Sequence, residues 1–210
     1  MLLPRIYPIT DARLTKLSLA EQVARLIDGG ATFVQLREKY HTPRDFYESS
    51  KEVLTIARPR GVKVIINDRV DIALALKADG VHLGQDDLPP KHARKILGGK
   101  AIIGFSTHNL EQAAEAVKLP IDYLAIGPVF PTRTKENPDK ITGIETVKNV
   151  REIIGDFPLV AIGGITFENF QAVLEASANS VAVISDLLSD SDKITEKMRN
   201  FLAQRNVTDK

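Results

Sequence analysis

Residues 62–83 read Val-Lys-Val-Ile-Ile-Asn-Asp-Arg-Val-Asp-Ile-Ala-Leu-Ala-Leu-Lys-Ala-Asp-Gly-Val-His-Leu. Two short apolar runs, Val62–Ile66 and Gly80–Leu83, flank a segment from Asp71 to Lys77 in which apolar residues recur at helical spacing. This order predicts a strand, a helix and a second strand. The runs lack the regular alternation of a half-exposed antiparallel strand, so we expect parallel strands that are buried on both faces.

The same strand and helix unit recurs along the whole chain. The eight apolar runs are Ile6–Thr10, Phe33–Leu36, Val62–Ile66, Gly80–Leu83, Ile102–Ser106, Tyr123–Ile126, Leu159–Ile162 and Val181–Ile184. The predicted helices are Leu19–Asp28, Pro43–Arg58, Asp71–Lys77, Pro90–Leu97, Leu110–Lys118, Ile144–Ile154, Phe167–Ala176 and Ser191–Gln204. Eight such units without a Ser/Gly-rich linker predict the α/β class and a (β/α)8 TIM barrel, a single domain over residues 1–210 with residues 206–210 as a frayed tail. A doubly wound open sheet is the alternative.

Length and composition exclude several classes of protein. The chain has 210 residues, of which 43% are hydrophobic and 26% are charged, as is typical of a soluble globular domain. Lys and Arg total 28 against 27 for Asp and Glu, so the net charge of +1 gives no reason to expect nucleic acid as a partner. The absence of cysteine excludes disulfides, thiolate nucleophiles and cysteine metal sites. No apolar run is long enough for a signal peptide or a membrane span, so we expect a cytoplasmic protein without a membrane partner.

The chemistry is expected at one end of the barrel, because TIM barrels carry their catalytic groups at the carboxyl ends of the strands and in the loops that follow. Polar residues or glycines follow every apolar run: Thr10-Asp11, Arg37-Glu38-Lys39, Asn67-Asp68-Arg69, Gln85-Asp86-Asp87, Ser106-Thr107-His108, the loop 127–135, Gly163-Gly164 and Ser185. The connections at the other end, such as Asp28-Gly29-Gly30, are typical of plain turns. This asymmetry predicts one active face.

Two cations follow the second predicted strand. With the period of two that strands impose, Gln35, Arg37 and Lys39 share one side, and Leu36 and Glu38 share the other. If the first three side chains point into the mouth of the barrel, the cations need an anionic partner, since buried unpaired charges are costly. A phosphate group fits the donor fork of Arg and the point charge of Lys. The alternative is a solvated charge run at the end of a strand.

Carboxylates end the third and fourth predicted strands. Asp68 and Asp87 are hard oxygen ligands, and with no cysteine and no histidine pair at ligand spacing they favour Mg²⁺ over zinc. The alternative is that each aspartate caps the helix that follows it. His82 lies inside an apolar run, where a structural role and a catalytic role are both open. Ser106 and His108 do not form a hydrolase triad, and there is no G-x-S-x-G motif.

Two later segments favour phosphate binding. Residues 127–135, Gly-Pro-Val-Phe-Pro-Thr-Arg-Thr-Lys, combine prolines, hydroxyls and cations after the sixth strand, which suits a lid over a bound phosphate. Gly163 and Gly164 follow the seventh strand and Ser185 follows the eighth. Barrels often bind phosphate at these two positions through loop amides.

In combination and order, these motifs resemble the thiamine-phosphate synthase family. The segments that carry the resemblance are Gln35–Lys39, Asn67-Asp68, Ala78–Asp87, Ser106–His108, Gly127–Lys135 and Ile162–Ile165, and the similarity extends from about Tyr7 to Ser185. The resemblance implies a barrel that joins 4-amino-2-methyl-5-(diphosphooxymethyl)pyrimidine to 4-methyl-5-(2-phosphooxyethyl)thiazole and releases pyrophosphate with the help of Mg²⁺. The implied partners are therefore small molecules, and a homo-oligomer is compatible with the resemblance.

The resemblance also implies roles for individual residues. The pyrimidine diphosphate would be held by Gln35, Arg37, Lys39, Asn67, Ser106 and Lys135, of which Arg37, Lys39, Ser106 and Lys135 are the predicted catalytic residues. Glu38 is a further predicted substrate-binding residue. Asp68 and Asp87 would bind Mg²⁺. The thiazole phosphate would be bound by Thr132, Thr134, Gly164, Ile184 and Ser185. His82 matches a histidine of the family motif and receives no role.

Three departures from the family pattern are visible, of which the first is that residues 119–122, Leu-Pro-Ile-Asp, lack the usual Gly before the sixth strand. Residues 176–180, Ala-Ser-Ala-Asn-Ser, replace the usual Gly-Ala-Asp-Gly before the last strand, and Asp186 stands beside the phosphate site where a small residue is expected. A carboxylate at that position would weaken phosphate binding by repulsion. The alternatives to the synthase are a paralogue similar to the thiazole tautomerase and a binder of thiamine phosphates without catalysis.

Overall fold

The computed structural model describes residues 3–132 and 140–204. The strands are β1 (Ile6–Pro8), β2 (Phe33–Leu36), β3 (Lys63–Asn67), β4 (Gly80–Leu83), β5 (Ile102–Thr107), β6 (Tyr123–Ile126), β7 (Leu159–Ile162) and β8 (Ser180–Val183). The helices are α1 (Leu19–Asp28), α2 (Pro43–Ala57), α3 (Val70–Leu76), α4 (Pro90–Leu97), α5 (Leu110–Ala116), α6 (Gly143–Ile154), α7 (Phe170–Glu175), α8 (Ser185–Leu188) and α9 (Ile194–Ala203).

The eight strands form one parallel sheet that closes on itself. From β2 to β8 each strand pairs with the next one in sequence, and β1 pairs with β8, where Ile6 lies opposite Val181. A bridge between Ile9 and Gln35 joins the end of β1 to β2. The predicted (β/α)8 barrel is therefore confirmed, and the open sheet is excluded. The tail 206–210 lies outside the described residues.

The predicted elements differ from the observed ones mainly after β7 and β8. The helix predicted from Phe167 begins at Phe170, because Asn169 and Thr166 hydrogen-bond to each other in a turn. The helix α8 was not predicted, since four residues are too few to show a helical period. The predicted helix Ser191–Gln204 begins as a 3-10 turn and continues as α9.

Both faces of the sheet are buried, which explains why the strands show no polar alternation. Outside the barrel, residues such as Val34 and Ile66 pack with the helices in the main apolar core. Inside it, a second cluster that includes Tyr7, Phe33 and Tyr123 fills the lumen. The barrel is thus a packed core with its polar groups at the strand ends.

A repeated polar contact ties the strands together at their amino ends. The residue before a strand accepts a hydrogen bond from the backbone N–H near the start of the preceding strand. The pairs are Asp79 with Val64 (2.8 Å), Asp122 with Ile103 (2.7 Å) and Asn179 with Leu159 (2.8 Å). The departure at residues 176–180 therefore keeps this contact through Asn179, on the face opposite the predicted site.

None of the described helices is both long enough and apolar enough to cross a membrane.

Candidate active site

A cavity of about 480 Å³ opens at the carboxyl ends of the strands. Most of the predicted site residues line it: Gln35, Arg37, Lys39, Asn67, Asp68, Asp87, Ser106, Thr132, Gly164, Ile184 and Ser185. Thr134 and Lys135 lie outside the described residues. Glu38 does not line the cavity. The strand ends therefore bring together side chains that are up to 150 positions apart in the sequence, from Gln35 to Ser185.

Glu38 instead stabilises the loop that follows β2. Its carboxylate accepts hydrogen bonds from the backbone N–H groups of Tyr40 (2.8 Å) and His41 (3.2 Å). Although burial opposes the change, these bonds lower the pKa of Glu38. The period of two after β2 thus separates Gln35, Arg37 and Lys39, which line the cavity, from the loop-forming Glu38.

A buried carboxylate holds Arg37 in place. Nη1 of Arg37 lies 3.0 Å from Oδ2 of Asp11, whose side chain is only 2% exposed and also pairs with Arg13. The backbone N–H of Arg37 donates to Oγ1 of Thr10 (3.1 Å). Asp11 was absent from the predicted site, although its position directly after the first strand was a signal that could have indicated it. The negative charge of Asp11 compensates the positive charge of Arg37. The guanidinium of Arg37 can therefore lie at the mouth of the barrel while no anionic ligand is bound.

The two predicted metal ligands lie close together. Asp68 forms an ion pair with Lys39. Burial, together with the hydrogen bond and the negative charge of Asp68, raises the pKa of Asp87. Two neighbouring carboxylates fit Mg²⁺, which is bound in proteins by one or two carboxylates plus substrate oxygens and water. A cluster of three or more acidic or histidine ligands is not found in the ranges 3–132 and 140–204.

The structure excludes helix capping as the role of these aspartates. The N-cap residue of α3 is Arg69 and that of α4 is Pro89, and neither helix has a side-chain cap. Asp87 instead accepts from the backbone N–H of Gly84 (2.7 Å), within the turn after β4. Asp68 adopts a left-handed backbone conformation with φ of 61°, which aspartate adopts more readily than most residues other than glycine.

The glycines after β7 allow close packing where the loops after β6 and β7 line the cavity. Gly163 and Gly164 have φ values of 103° and 63°. A Cβ atom would lie 2.5 Å from Cα of Pro128 at the first position and 2.5 Å from the carbonyl oxygen of Pro131 at the second. Only glycine therefore permits this turn to approach the loop after β6.

Asp186 is turned away from the predicted phosphate site. Its Oδ2 accepts from the backbone N–H of Phe167 (2.9 Å), and the residue does not line the cavity. The carboxylate of Asp186 thus stabilises the loop after β7. Because it does not line the cavity, its position gives no reason to expect repulsion of a phosphate that is bound there. Ser185 and Ile184, its neighbours in sequence, do line the cavity.

His82 is buried at the floor of the cavity with both ring nitrogens in hydrogen bonds. Nδ1 lies 3.0 Å from the hydroxyl of Tyr123, and Nε2 lies 2.9 Å from Oγ of Ser106. Burial lowers the pKa of His82 to about 4, so the ring is neutral at physiological pH. The tyrosine was not predicted, because a tyrosine inside an apolar run gives no polar signal.

Comparison with known proteins agrees with this arrangement. A family model described as thiamine monophosphate synthase matches residues 6–187. A thiamine-phosphate synthase from Syntrophomonas wolfei is 47% identical over 188 residues, covering 89% of this chain and 90% of the relative. Another, from Koribacter versatilis, is 45% identical over 193 residues and covers 90% of each chain.

Solved structures give the same result. A thiamine phosphate pyrophosphorylase from Pyrococcus furiosus superposes with a TM-score of 0.85 at 37% identity, covering 94% of this chain and 93% of that one. A 2-keto-3-deoxy-6-phosphogluconate aldolase from Zymomonas mobilis, at 21% identity and a TM-score of 0.73, shares the fold alone. The motif order, the barrel and the match over residues 6–187 lead to one conclusion: the chain belongs to the thiamine monophosphate synthase family, whose members are transferases of thiamine biosynthesis.

Proposed function

We propose that this enzyme couples 4-amino-2-methyl-5-(diphosphooxymethyl)pyrimidine with 4-methyl-5-(2-phosphooxyethyl)thiazole to give thiamine phosphate and pyrophosphate. The observation that carries the proposal is the composition of one cavity wall. Arg37, Lys39, Asp68 and Asp87 come from three different strand ends and line the same cavity. Paired cations beside paired carboxylates suit a diphosphate that is bound together with a divalent cation.

The diphosphate end of the substrate would lie against the cations. Arg37 is preorganised by Asp11 at 3.0 Å, so it donates to an incoming phosphate without first losing side-chain freedom. Lys39 is paired with Asp68 and stands at the same wall. Lys135, which lies outside the described residues, would add a further cation from the loop after β6. These donors stabilise the charge that develops on the departing diphosphate.

Asp68 and Asp87 would hold Mg²⁺. When bound, the ion supplies Lewis-acid stabilisation of the leaving diphosphate. Partial burial and the nearby charge of Asp68 disfavour the ionised form of Asp87 and raise its pKa. A bound cation would favour that ionised form, so the raised pKa is consistent with a cation site.

The proposed reaction is a dissociative substitution. The bond between the exocyclic methylene carbon and the diphosphate oxygen breaks, and pyrophosphate leaves with the electron pair. The electron-rich aminopyrimidine stabilises the resulting cation, and the thiazole nitrogen then forms a bond to that carbon. No enzyme nucleophile is needed, in keeping with a chain that contains no cysteine. The work of the protein is to orient both rings and to exclude water.

The remaining residues divide between the two substrates. Gln35, Asn67 and Ser106 line the cavity and would contact the pyrimidine. The thiazole phosphate would bind where Thr132, Gly164 and Ser185 meet, together with Thr134 and Ile184. Glu38 is proposed to act through the loop after β2, whose backbone it holds. A cytoplasmic location, a homo-oligomeric state and independence from nucleic acid remain predictions.

A coupled assay tests the proposed function. Purified protein is incubated with both substrates and Mg²⁺, and thiamine phosphate and pyrophosphate are quantified. The Asp68→Asn variant should lower turnover by about 100-fold or more, since the charge on the leaving group loses part of its compensation. Asp28 is an exposed residue at the end of α1 that forms an ion pair with Arg60. Asp28→Asn is the matched control and should leave turnover unchanged.

The same experiment separates the alternatives. A thiazole tautomerase would isomerise the thiazole without consuming the pyrimidine diphosphate, and Asp68→Asn would leave that activity intact. A non-catalytic binder would show calorimetric binding with no release of pyrophosphate. Either result, under conditions in which a known synthase turns over, contradicts the proposal.

A further inference from the structure

Five polar side chains form a continuous hydrogen-bonded network through the lumen of the barrel. Nε2 of Gln35 donates to the hydroxyl of Tyr7 (3.0 Å), which lies 2.9 Å from the hydroxyl of Tyr123. Tyr123 is hydrogen-bonded to Nδ1 of His82, and Nε2 of His82 to Oγ of Ser106. This lumen network thus begins and ends at residues that line the cavity, Gln35 and Ser106, and its interior members are buried.

The network is built into the register of the strands. His82 in β4 and Tyr123 in β6 both lie opposite Gly104 in the intervening strand β5. A Cβ atom at Gly104 would lie 2.1 Å from Cζ of Tyr123 and 2.5 Å from Nδ1 of His82. Glycine at this position therefore leaves the space in which the tyrosine reaches across β5 to the histidine.

In the lumen network, one assignment of donors and acceptors gives every buried donor an acceptor. Because Tyr7 accepts from Gln35, its single proton is available to Tyr123. Tyr123 then donates to Nδ1 of His82, whose neutral ring carries its proton on Nε2 and donates to Ser106. The opposite tautomer, with the proton on Nδ1, would leave the hydroxyl proton of either Tyr7 or Tyr123 without an acceptor in the network, which is unfavourable in a buried site.

We infer that Tyr7, Tyr123 and His82 are positioning residues that set the polarity of both ends of the lumen network. At one end, Gln35 commits its amide nitrogen to Tyr7 and leaves its carbonyl oxygen as the atom available to a ligand. At the other end, Ser106 accepts from His82 and keeps its own proton for an acceptor in the cavity. The cavity thus offers an acceptor at β2 and a donor at β5.

This inference rests on the proposed function and adds a basis for substrate selection. An acceptor at Gln35 is complementary to a ring that carries an amino group, and it repels a ring that carries an oxo group at the same position. A hydroxyl donor at Ser106 is complementary to a ring nitrogen or to an anionic oxygen. The lumen network would therefore favour an aminopyrimidine over an oxopyrimidine, although none of its three interior residues bonds to the substrate.

The tautomer of His82 is the direct test. Long-range ¹H–¹⁵N spectra of the ligand-free protein, assigned with a His82→Gln variant, should show the proton on Nε2. The Tyr7→Phe variant should keep this tautomer, because Tyr123 can still donate to Nδ1. The Tyr123→Phe variant removes that donor and should give a mixture of tautomers. A wild-type protein with the proton on Nδ1 overturns the inference, whatever the variants do.

Ligand selection is the second test. Calorimetry with the aminopyrimidine diphosphate and with its oxo counterpart, both without thiazole phosphate, gives the amino preference as a ratio of Kd values. In Tyr7→Phe and Tyr123→Phe this ratio should fall by about tenfold, the factor expected for one lost directional hydrogen bond. Tyr47→Phe, a partly buried tyrosine on α2 outside the network, is the matched control and should keep the wild-type ratio.

The outcomes separate this inference from the proposed function. If both lumen variants are folded by circular dichroism and keep the wild-type preference, the network has only a structural role and the inference fails. If the predicted tautomer and the amino preference are observed but no thiamine phosphate is formed, the proposed function fails and the lumen network stands.

Discussion

At the scale of single residues, the site is organised by charges that are paired before any ligand arrives. Arg37 rests on the buried Asp11, and Lys39 rests on Asp68. Burial and the neighbouring Asp68 both raise the pKa of Asp87. The ionised form of Asp87 is therefore disfavoured while no cation is bound beside it.

An Asp87→Asn variant should be more stable and less active than the wild type at neutral pH. The pKa of folded Asp87 is above that of the unfolded chain, so the folded state binds its proton more tightly. The free energy of unfolding of the wild type should then fall as the pH rises through the pKa of the folded state. The variant lacks this loss, so its advantage in Tm should appear as the pH increases.

Thermal unfolding between pH 4 and pH 8 measures this effect, with turnover measured on the same samples. Asp28→Asn serves again as the control and should follow the wild-type curve. An Asp87→Asn protein that is less stable than the wild type at all pH values would show that the carboxylate has a mainly structural role.

At the scale of secondary-structure elements, each strand has a functional end and a structural end. The carboxyl ends carry the cavity, and the amino ends carry the repeated contacts made by Asp79, Asp122 and Asn179. The segment that leads into β8 contains Ser177, which has φ of 71°, and β8 itself begins at Ser180. The hydroxyl of Ser180 is fully buried and has no hydrogen-bond partner among the described residues.

Replacing Ser180 with alanine should stabilise β8. The change removes a buried hydroxyl without a partner and should raise the free energy of unfolding by about 1 kcal/mol. Denaturant unfolding measures it. Thr107→Val at the end of β5 is the matched comparison, because its buried hydroxyl does donate to the carbonyl of Ala125 (2.9 Å). That change should destabilise the protein, and equal effects from both changes would contradict the argument.

At the scale of the whole molecule, the barrel depends on a lumen that is filled by a few large side chains. Tyr7 and Phe33 meet edge to face with ring centroids 4.8 Å apart, and His82 stacks on Tyr123 at 5.5 Å. Gly104 provides the space for this packing. The floor of the cavity is therefore the top of a close-packed interior, and its shape follows from the packing below it.

A Gly104→Ala variant should disturb stability and the site together. The added Cβ meets the ring of Tyr123 and the ring of His82, so we expect a loss of about 1–3 kcal/mol in the free energy of unfolding, as for other overpacked cores. Gly99→Ala is the control, because no atom lies within 4 Å of a Cβ at that position. Chemical denaturation of both variants measures the difference, and equal stabilities would show that the lumen can relax around the added methyl group.

The sequence by itself determined the features that depend on local periodicity. Buried strands with helices between them predicted the barrel, and a period of two after β2 predicted which of its residues face the cavity. The position of Asp68 and Asp87 at adjacent strand ends likewise followed from the order of the units. These features were predictable because they depend on residues that are near one another in the chain.

Only the tertiary structure decided which side chains pair with one another through ion pairs and hydrogen bonds. The ion pair of Arg37 with Asp11 joins residues 26 positions apart, and the hydrogen bond of Tyr7 with Tyr123 joins residues 116 positions apart. It also decided that Glu38 and Asp186 hold loops instead of lining the cavity. Closing the sheet sets these distances, and a hydrogen bond forms only within a few tenths of an ångström of its ideal length, which the pattern of residue types along the chain does not specify.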